Sequence, residues 1–479
     1  MLDPLPTRAL APNDIIRSKL CIGCGACAGM AEPDQVHMAW DRYGQLKPAG
    51  QAAWMNRPSQ SFARTCPFSP AAANEDAIAT ERFPSAIEQD PQLGRFEKAY
   101  VGHVAEGIFR PWGSSGGMVS WVAAELLRRG LVDGVAHVAP RAPTDDVGFF
   151  DYRISRSVED VQCGAKSRYH PIHLADVIRE IRAVPGRYAI VGVPCFIKAV
   201  HLLRESDPVL RERIAYTLGL FCGHMKSRRL VESFAWQLGA PIETVAAVDY
   251  RLKDETRPAN WYTAHLTLRD GHSAHKDWWH LADGDWGAGF VQNPACNMCD
   301  DVVAETADIA FGDAWVEPYS SDGRGTNVVI ARSPEMAALV NEAIAAGRLA
   351  LERVDGDFVA QTQAAGLRHR REGLAYRLTW RRNGIVPHKR VAPRADGLPL
   401  RRKLVYRMRA GIARWSHRIA WFAGLTGMPR LYIGWARTSL YIYRALTYSA
   451  GWLGRLFDRV ENWAPRRPRS FTRSAPDRT

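Results

Sequence analysis

The sequence predicts a mixed α/β (α+β) core flanked by two unlike ends: a small cysteine-rich segment before it and a helical, basic extension behind it. Three observations carry this reading. Between Tyr100 and about Val354, short β-rich runs alternate with helix-like stretches, the pattern of a sheet covered by helices. Residues 1–80 hold four of the nine cysteines among many turn residues and little apolar periodicity. From Arg368 to Thr479 there are 26 Lys and Arg against 5 Asp and Glu, so the net charge of +13 belongs to the C-terminal part and the remainder is acidic. With 479 residues, 46% of them hydrophobic, the chain can fill the cores of two or three domains.

The N-terminal segment reads as a unit organised by a metal rather than by an apolar core. Its start, MLDPLPTRALAPND, has Asp3 near its beginning, three prolines and no apolar run before Cys21, unlike a secretory signal. No stretch reaches the ~18 apolar residues of a membrane-spanning helix. A cytoplasmic protein is therefore expected. In that reducing compartment an odd number of clustered cysteines reads as metal ligands, not disulfides. Cys21-Ile-Gly-Cys24-Gly-Ala-Cys27 sets three thiols at two-residue gaps, with glycines that let the backbone wrap tightly. Cys66, followed by Pro67, supplies a fourth. Three close thiolates reach three irons and a distant Cys-Pro closes a [4Fe-4S] cage. The alternative is a four-cysteine zinc site, although those more often come as two C-x2-C knuckles.

The core, residues 98–355, is expected to contain strands at YVGHVA, VDGVAHVA, YAIVGVP, AYTLGLFC and DIAFGDAW, with helices at GMVSWVAAELLRRG and CFIKAVHLLRES between them. A second set of cysteines, Cys195, Cys222, Cys296 and Cys299, lies at strand ends or in loops, where a buried sheet can gather them around one site. They read either as four ligands of a second cubane or as buried structural thiols, with Cys163 left over. Gly113-Ser114-Ser115-Gly116-Gly117 precedes a helix and reads as a pyrophosphate cradle or as an ordinary capped helix start. Neither G-x-G-x-x-G nor a Walker loop occurs. Lys166, Ser167, Arg168, Tyr169 and His170 form a compact donor set for a phosphate or a flavin edge, or else an exposed basic loop. Asp300, Asp301 and Asp313 read as ribose or flavin contacts or as turn residues. There is no H-E-x-x-H and no G-x-S-x-G, so hydrolase chemistry has no support.

The extension, residues 368–479, predicts two helices. Leu404, Met408, Ile412, Trp415, Ile419 and Phe422 recur at three- and four-residue steps, with Arg407, Arg414 and Arg418 on other faces. After Gly427-Met428-Pro429 a second helix carries Leu431, Trp435, Ile442 and Leu446 on one side and Arg430, Arg437 and Arg444 on another. Such helices suit an anionic membrane surface at its inner, cytoplasmic face better than nucleic acid, with docking to a protein partner as a further option. The last fifteen residues read as disordered.

Taken in order, these motifs resemble the family of coenzyme F420 hydrogenase/dehydrogenase beta subunits, which includes reductases of chlorophyll metabolites. The motifs are C-x2-C-x2-C with a later Cys-Pro, SSGG before a helix ending in GLVDG, KSRY, GVPC, LFC, C-x2-C-DD, and ADIAFGDAW followed by GTNVVIARS. The resemblance covers roughly Cys21 to Val354. It implies a flavoprotein that binds FAD and passes electrons between two [4Fe-4S] clusters and a substrate docked over the flavin. Cys21, Cys24, Cys27 and Cys66 would hold one cluster, and Cys195, Cys222, Cys296 and Cys299 the one beside the flavin. Ser114, Ser115, Gly116, Gly117, Ser167, Arg168 and Tyr169 would contact FAD. The segment LFCGHMKS departs from the family pattern before Ser227, and the arginine-rich extension lies outside the family core. The expected function is an oxidoreductase in which FAD converts one-electron cluster chemistry into two-electron or hydride transfer. His170 and His224 are candidate proton donors or structural residues. Its redox partner would be a ferredoxin, a deazaflavin coenzyme or a partner subunit. The competing expectation is a non-catalytic electron-transfer subunit.

Overall fold

The β-rich runs of the core become strands of one eight-stranded sheet. In this computed structural model residues 9–142, 148–380 and 384–463 are described. The last fifteen residues, read above as disordered, lie outside them. In chain order the strands are β1 (Lys98–Val104), β2 (Gly134–Pro140), β3 (Phe150–Ser155), β4 (Tyr188–Gly192), β5 (Ile214–Leu220), β6 (Ile309–Asp313), β7 (Asn327–Ala331) and β8 (Leu349–Val354). Their spatial order is β8-β1-β7-β6-β5-β4-β2-β3. The four central strands, β6, β5, β4 and β2, are parallel, and antiparallel strands flank them on both sides. Parallel strands are covered on both faces, which is why β4 is buried along its whole length. The helices expected at 118–128 and 194–206 form as Met118–Arg128 and Pro194–Ser206.

The register places the candidate site. Val191 pairs with Leu218 and Gly192 with Gly219, so the chain leaves the carboxyl ends of β4 and β5 side by side. Gly219 is needed there: a Cβ would sit 2.4 Å from the Cβ of Ala304. A three-stranded antiparallel sheet, Val245–Leu252, Thr263–Leu268 and Ser273–Asp277, stands apart from the large one.

The N-terminal segment is not set off as the separate metal-organised unit expected from its composition. Leu10, Ile15, Leu20, Ile22 and Phe68 bury into the same apolar cluster as Val177, Ile178, Phe196 and Val200 of the core. A smaller cluster within the segment, Ala28, Val36 and Met55 with Ile16, Met38 and Trp54, also rests on the core through Ala175.

The extension forms helices Leu400–Thr426, Pro429–Tyr448 and Gly451–Trp463, the first two joined through Gly427 in the left-handed region (φ 66°). The buried seam is rotated from the one expected. Ile412, Ala413, Ser416, His417, Ala420 and Ala423 face inward, while Leu404, Trp415, Phe422 and Leu431 are exposed. Hydrogen bonding sets this rotation: Val291 N donates to Ser416 Oγ at 2.8 Å, and His417 Nε2 lies 2.9 Å from Gln292 O. Among the described residues no helix is long and apolar enough to cross a membrane.

Candidate cofactor site

The loop carrying Cys21, Cys24 and Cys27 coils through two glycines in the left-handed region. A Cβ on Gly23 would lie 2.4 Å from Leu46 O, and one on Gly25 would lie 2.9 Å from the Cβ of His173. Cys27 sits on the short helix Ala26–Gly29, and Cys66 ends the helix Gln60–Thr65, whose start Ser59 caps by accepting from Phe62 N at 3.2 Å. The four thiols lie within electrostatic reach of one another. Burial pushes Cys24 up to about 12, and Cys21 adds to the shift. Cys27 and Cys66 are raised by burial first and then by the other cysteines of the set. Cys24, Cys27 and Cys66 are therefore desolvated sulfurs whose ionised forms need a cationic group beside them.

The second quartet assembles at the strand ends. Cys195 is the second residue of helix Pro194–Ser206 beyond β4, Cys222 follows β5, and Cys296 and Cys299 lie in and just after the 3-10 turn Pro294–Met298. Burial raises the Cys195 thiol, and Cys299, Cys222 and Cys296 raise it further. Burial brings Cys296 to about 11, and Met225 N donates to its Sγ at 3.3 Å. The two quartets adjoin. Cys24 acts on Cys195, Tyr152 feels both, and Asn293 Nδ2 donates to Ile22 O at 3.2 Å across the junction. Cys163 is exposed at the end of its own helix. Among the described residues no three His, Cys, Asp or Glu side chains converge closely enough to hold a single metal ion.

The serine and glycine turn meets the KSRY segment. Ser167 N donates to Ser114 Oγ at 2.8 Å. A Cβ on Gly116 would be 2.8 Å from Gly102 O, and Gly117 (φ 86°) precedes the helix Met118–Arg128. The first amide of that helix is not free: Met118 N donates to Asn327 Oδ1 at 3.1 Å. Arg168 lies 4.9 Å above the Phe150 ring, and Tyr169 packs against Tyr250, Trp278 and Trp286. Arg251 and Lys253, not among the candidates named from sequence, brace the turn from the three-stranded sheet. Arg251 donates to Ser114 O at 3.2 Å and pairs with Asp313 at 3.0 Å, while Lys253 Nζ donates to Ser115 O at 3.2 Å. Burial, then Lys166 and Arg110, push Lys253 down to about 8. An alternating strand displays such residues only as surface charge, so sequence offered no signal for them.

His170 is buried, with Nδ1 3.0 Å from Tyr250 Oη and the rings of Trp40, Phe149 and Phe150 around it. His224 stacks on Trp286 with ring centroids 4.3 Å apart, and its buried Nε2 has no hydrogen-bond partner. Burial holds it neutral, reinforced by Lys226, Arg409 and Arg370. Through Trp286, whose ring centroid is 4.7 Å from that of Tyr169, the aromatic stack runs from the Cys222 loop to the KSRY segment. Asp301 accepts from Val303 N and Glu305 N at 2.9 Å each and so shapes a turn, and Asp300 is wholly buried against Lys389.

Residues 99–179 match the N-terminal part of the coenzyme F420 hydrogenase/dehydrogenase beta subunit, and residues 186–357 match its C-terminal part. An uncharacterised protein of Methanocaldococcus jannaschii is 24% identical over 314 residues, covering 62% of this chain and 81% of that one. A subunit of the F(420)H(2) dehydrogenase of Methanosarcina mazei is 22% identical over 325 residues, 63% of this chain and 79% of that one. A coenzyme F420-dependent sulfite reductase of M. jannaschii is 25% identical over 232 residues, and this chain spans 33% of its length and 45% of its own. Among solved structures, a chain of the F420-reducing [NiFe] hydrogenase complex from Methanosarcina barkeri aligns with a TM-score of 0.48 at 17% identity, covering 63% of this chain and 98% of that one. With two consecutive matches that together span more than half of its 479 residues, the chain belongs to the family of coenzyme F420 hydrogenase/dehydrogenase beta subunits.

Proposed function

We propose that the protein is an iron-sulfur flavoprotein oxidoreductase that passes electrons between two [4Fe-4S] clusters and FAD to reduce or oxidise a small substrate or a deazaflavin coenzyme. One observation carries the reading: two quartets of buried or half-buried thiols adjoin, and an aromatic stack leads from the second to the segment that meets the serine-glycine turn. Zinc would draw four sulfurs to about 2.3 Å from a single point, whereas an iron-sulfur cage spaces its thiolates around its own width. When bound, the clusters supply one-electron steps and the flavin joins them to a two-electron step.

The chain's own residues have separable tasks in this reading. Cys21, Cys24, Cys27 and Cys66 hold one cluster, and Cys195, Cys222, Cys296 and Cys299 the other. Ser114, Ser115, Gly116 and Gly117 with Ser167, Arg168 and Tyr169 hold the flavin, their backbone fixed by Arg251 and Lys253. His224 is the candidate proton carrier, a neutral imidazole whose buried Nε2 has no other partner and can take up a proton in transit, while His170 orients the aromatic wall through Tyr250. Anaerobically purified protein is expected to contain about eight irons with one extractable FAD, and to turn over an added deazaflavin. Clusters without flavin would overturn the enzyme reading in favour of an electron-transfer subunit that serves a ferredoxin or a partner subunit.

The exposed tip of the helical hairpin supports a second, compatible reading: peripheral attachment at the cytoplasmic face of an anionic membrane. Phe422, Leu425, Met428 and Leu431 are 43–70% exposed around the turn, and residues 400–448 carry ten Lys and Arg with no Asp or Glu. Apolar side chains flanked by cations are what an interfacial site needs. In flotation with anionic vesicles, Phe422→Ser with Leu425→Ser is expected to weaken binding by roughly tenfold per side chain. Unchanged binding ends the membrane reading, and affinity for nucleic acid that survives both changes would reassign the basic surface.

A further inference from the structure

The segment just beyond the family match closes over the second quartet with a buried guanidinium. Arg370 ends the helix Ala364–Arg370 and is 1% exposed. Its Nη1 donates to Cys296 O at 2.8 Å and Cys299 O at 3.5 Å, and its Nη2 donates to Gly223 O and, at 3.4 Å, to Cys222 O. One side chain thus grips both loops that bring three of the four cysteines, and every one of these partners is a neutral carbonyl.

The surroundings deepen the imbalance. From the next helix comes Arg377, from the long helix Arg409 and from the segment after β5 Lys226, and burial beside these cations holds His224 and His369 neutral. Burial and its cationic neighbours push Arg377 down to about 9. Lys226 is acted on by Asp283 and Asp285, whereas the groups that favour the charge of Arg377 are Tyr406 and Cys299. Burial opposes the charge of Arg370, and negative charge on Cys299, Cys296, Cys222 and Cys195 would favour it. Burying unmatched cations is costly unless an anion accompanies them. A cage ligated by four thiolates is such an anion. At the N-terminal quartet the corresponding contact comes from a lysine, Lys47, which donates to Cys21 O.

We propose that Arg370 is a positioning residue for the second cluster, fixing its ligand loops and serving as the counter-charge that raises its reduction potential. The inference rests on the two-cluster reading above. A fixed positive charge favours the more negative, reduced state, so its loss lowers the potential.

The test is potentiometric titration of the anaerobically purified full chain, followed by electron paramagnetic resonance, with Cys222→Ser identifying the second cluster's signal. Arg370→Gln is expected to shift that cluster's one-electron equilibrium at least tenfold toward the oxidised form, about 59 mV, leaving the other cluster unmoved. Arg370→Lys keeps the charge but not the fork, and is expected to retain most of the potential. Should Arg370→Gln fail to load iron, Arg377→Gln, which leaves the gripped carbonyls alone, is expected to move the same cluster in the same direction. Equal shifts in both clusters, unmoved midpoints, or a lysine variant shifted as far as the glutamine one would overturn the proposal. About four irons in the unaltered protein would remove the two-cluster reading itself, whereas about eight irons with unmoved midpoints would refute only the role of Arg370.

Discussion

Cys222→Ser is expected to lower the iron content from about eight to about four per chain, and Cys24→Ser to do the same by losing the other four. The two variants separate because their quartets hang on different elements. Cys24 belongs to a glycine-hinged loop packed on Leu46 and His173, while Cys222 leaves the end of β5 beside Cys195. Cys222 N also donates to Val302 O at 2.9 Å, so the backbone at the altered position stays anchored when the thiol is removed. Each variant should therefore keep the spectrum of the cluster it does not touch. Iron and sulfide assays with low-temperature paramagnetic resonance check this, and Cys163→Ser, on an exposed helix end, is the control expected to change nothing. Loss of all iron from either single variant would mean that the eight cysteines serve one site. Zinc in place of iron would return the N-terminal run to the alternative its spacing left open.

What was legible in the sequence follows a physical division. The strands were legible because parallel strands buried on both faces are continuous apolar runs, as in Tyr188–Gly192. The grouping of Cys21, Cys24 and Cys27 was legible because their spacing is local. The second cysteine set was not legible from spacing, since Cys195, Cys222, Cys296 and Cys299 meet only through the pairing of β4 with β5 and the return of the chain at Pro294. Apolar periodicity misplaced the buried seam of the long helix because it gives no weight to Ser416 and His417, which turn inward to bond Val291 and Gln292. The same blindness applies to charge. A count of arginines after Arg368 reads as a solvated cationic surface, yet Arg370 and Arg377 are each 1% exposed, and Lys389 and Arg390 are buried as well. Burial of an arginine depends on the partner waiting for it, and those partners lie far away in sequence.

Arg390→Ala is expected to cost about 3–5 kcal/mol of stability, the scale of breaking a buried ion pair by removing one partner. Asp300 and Glu305 from the core are 0% and 1% exposed at their side chains, and Arg390 reaches both: Nε lies 3.4 Å from Asp300 and Nη2 2.8 Å from Glu305. Lys389 pairs with Asp300 at 2.8 Å, and Lys198 pairs with Glu75 of the N-terminal segment at 3.2 Å. Charged groups of the core thus depend on residues from either side of it. Removing Arg390 leaves Glu305 with Arg371, at 3.1 Å, as its remaining ion-pair partner and Asp300 with Lys389. Chemical denaturation should show a lower midpoint with an unchanged slope, because the surface exposed on unfolding is the same. Adding Glu305→Ala should cost less in the Arg390→Ala background than alone, since the stranded carboxylate is then gone. If the extension were merely tethered, Arg390→Ala would leave the core's unfolding midpoint where it was. The geometry argues otherwise, because Asp300, which directly follows Cys299, and Glu305 are buried against charges supplied from beyond the family match.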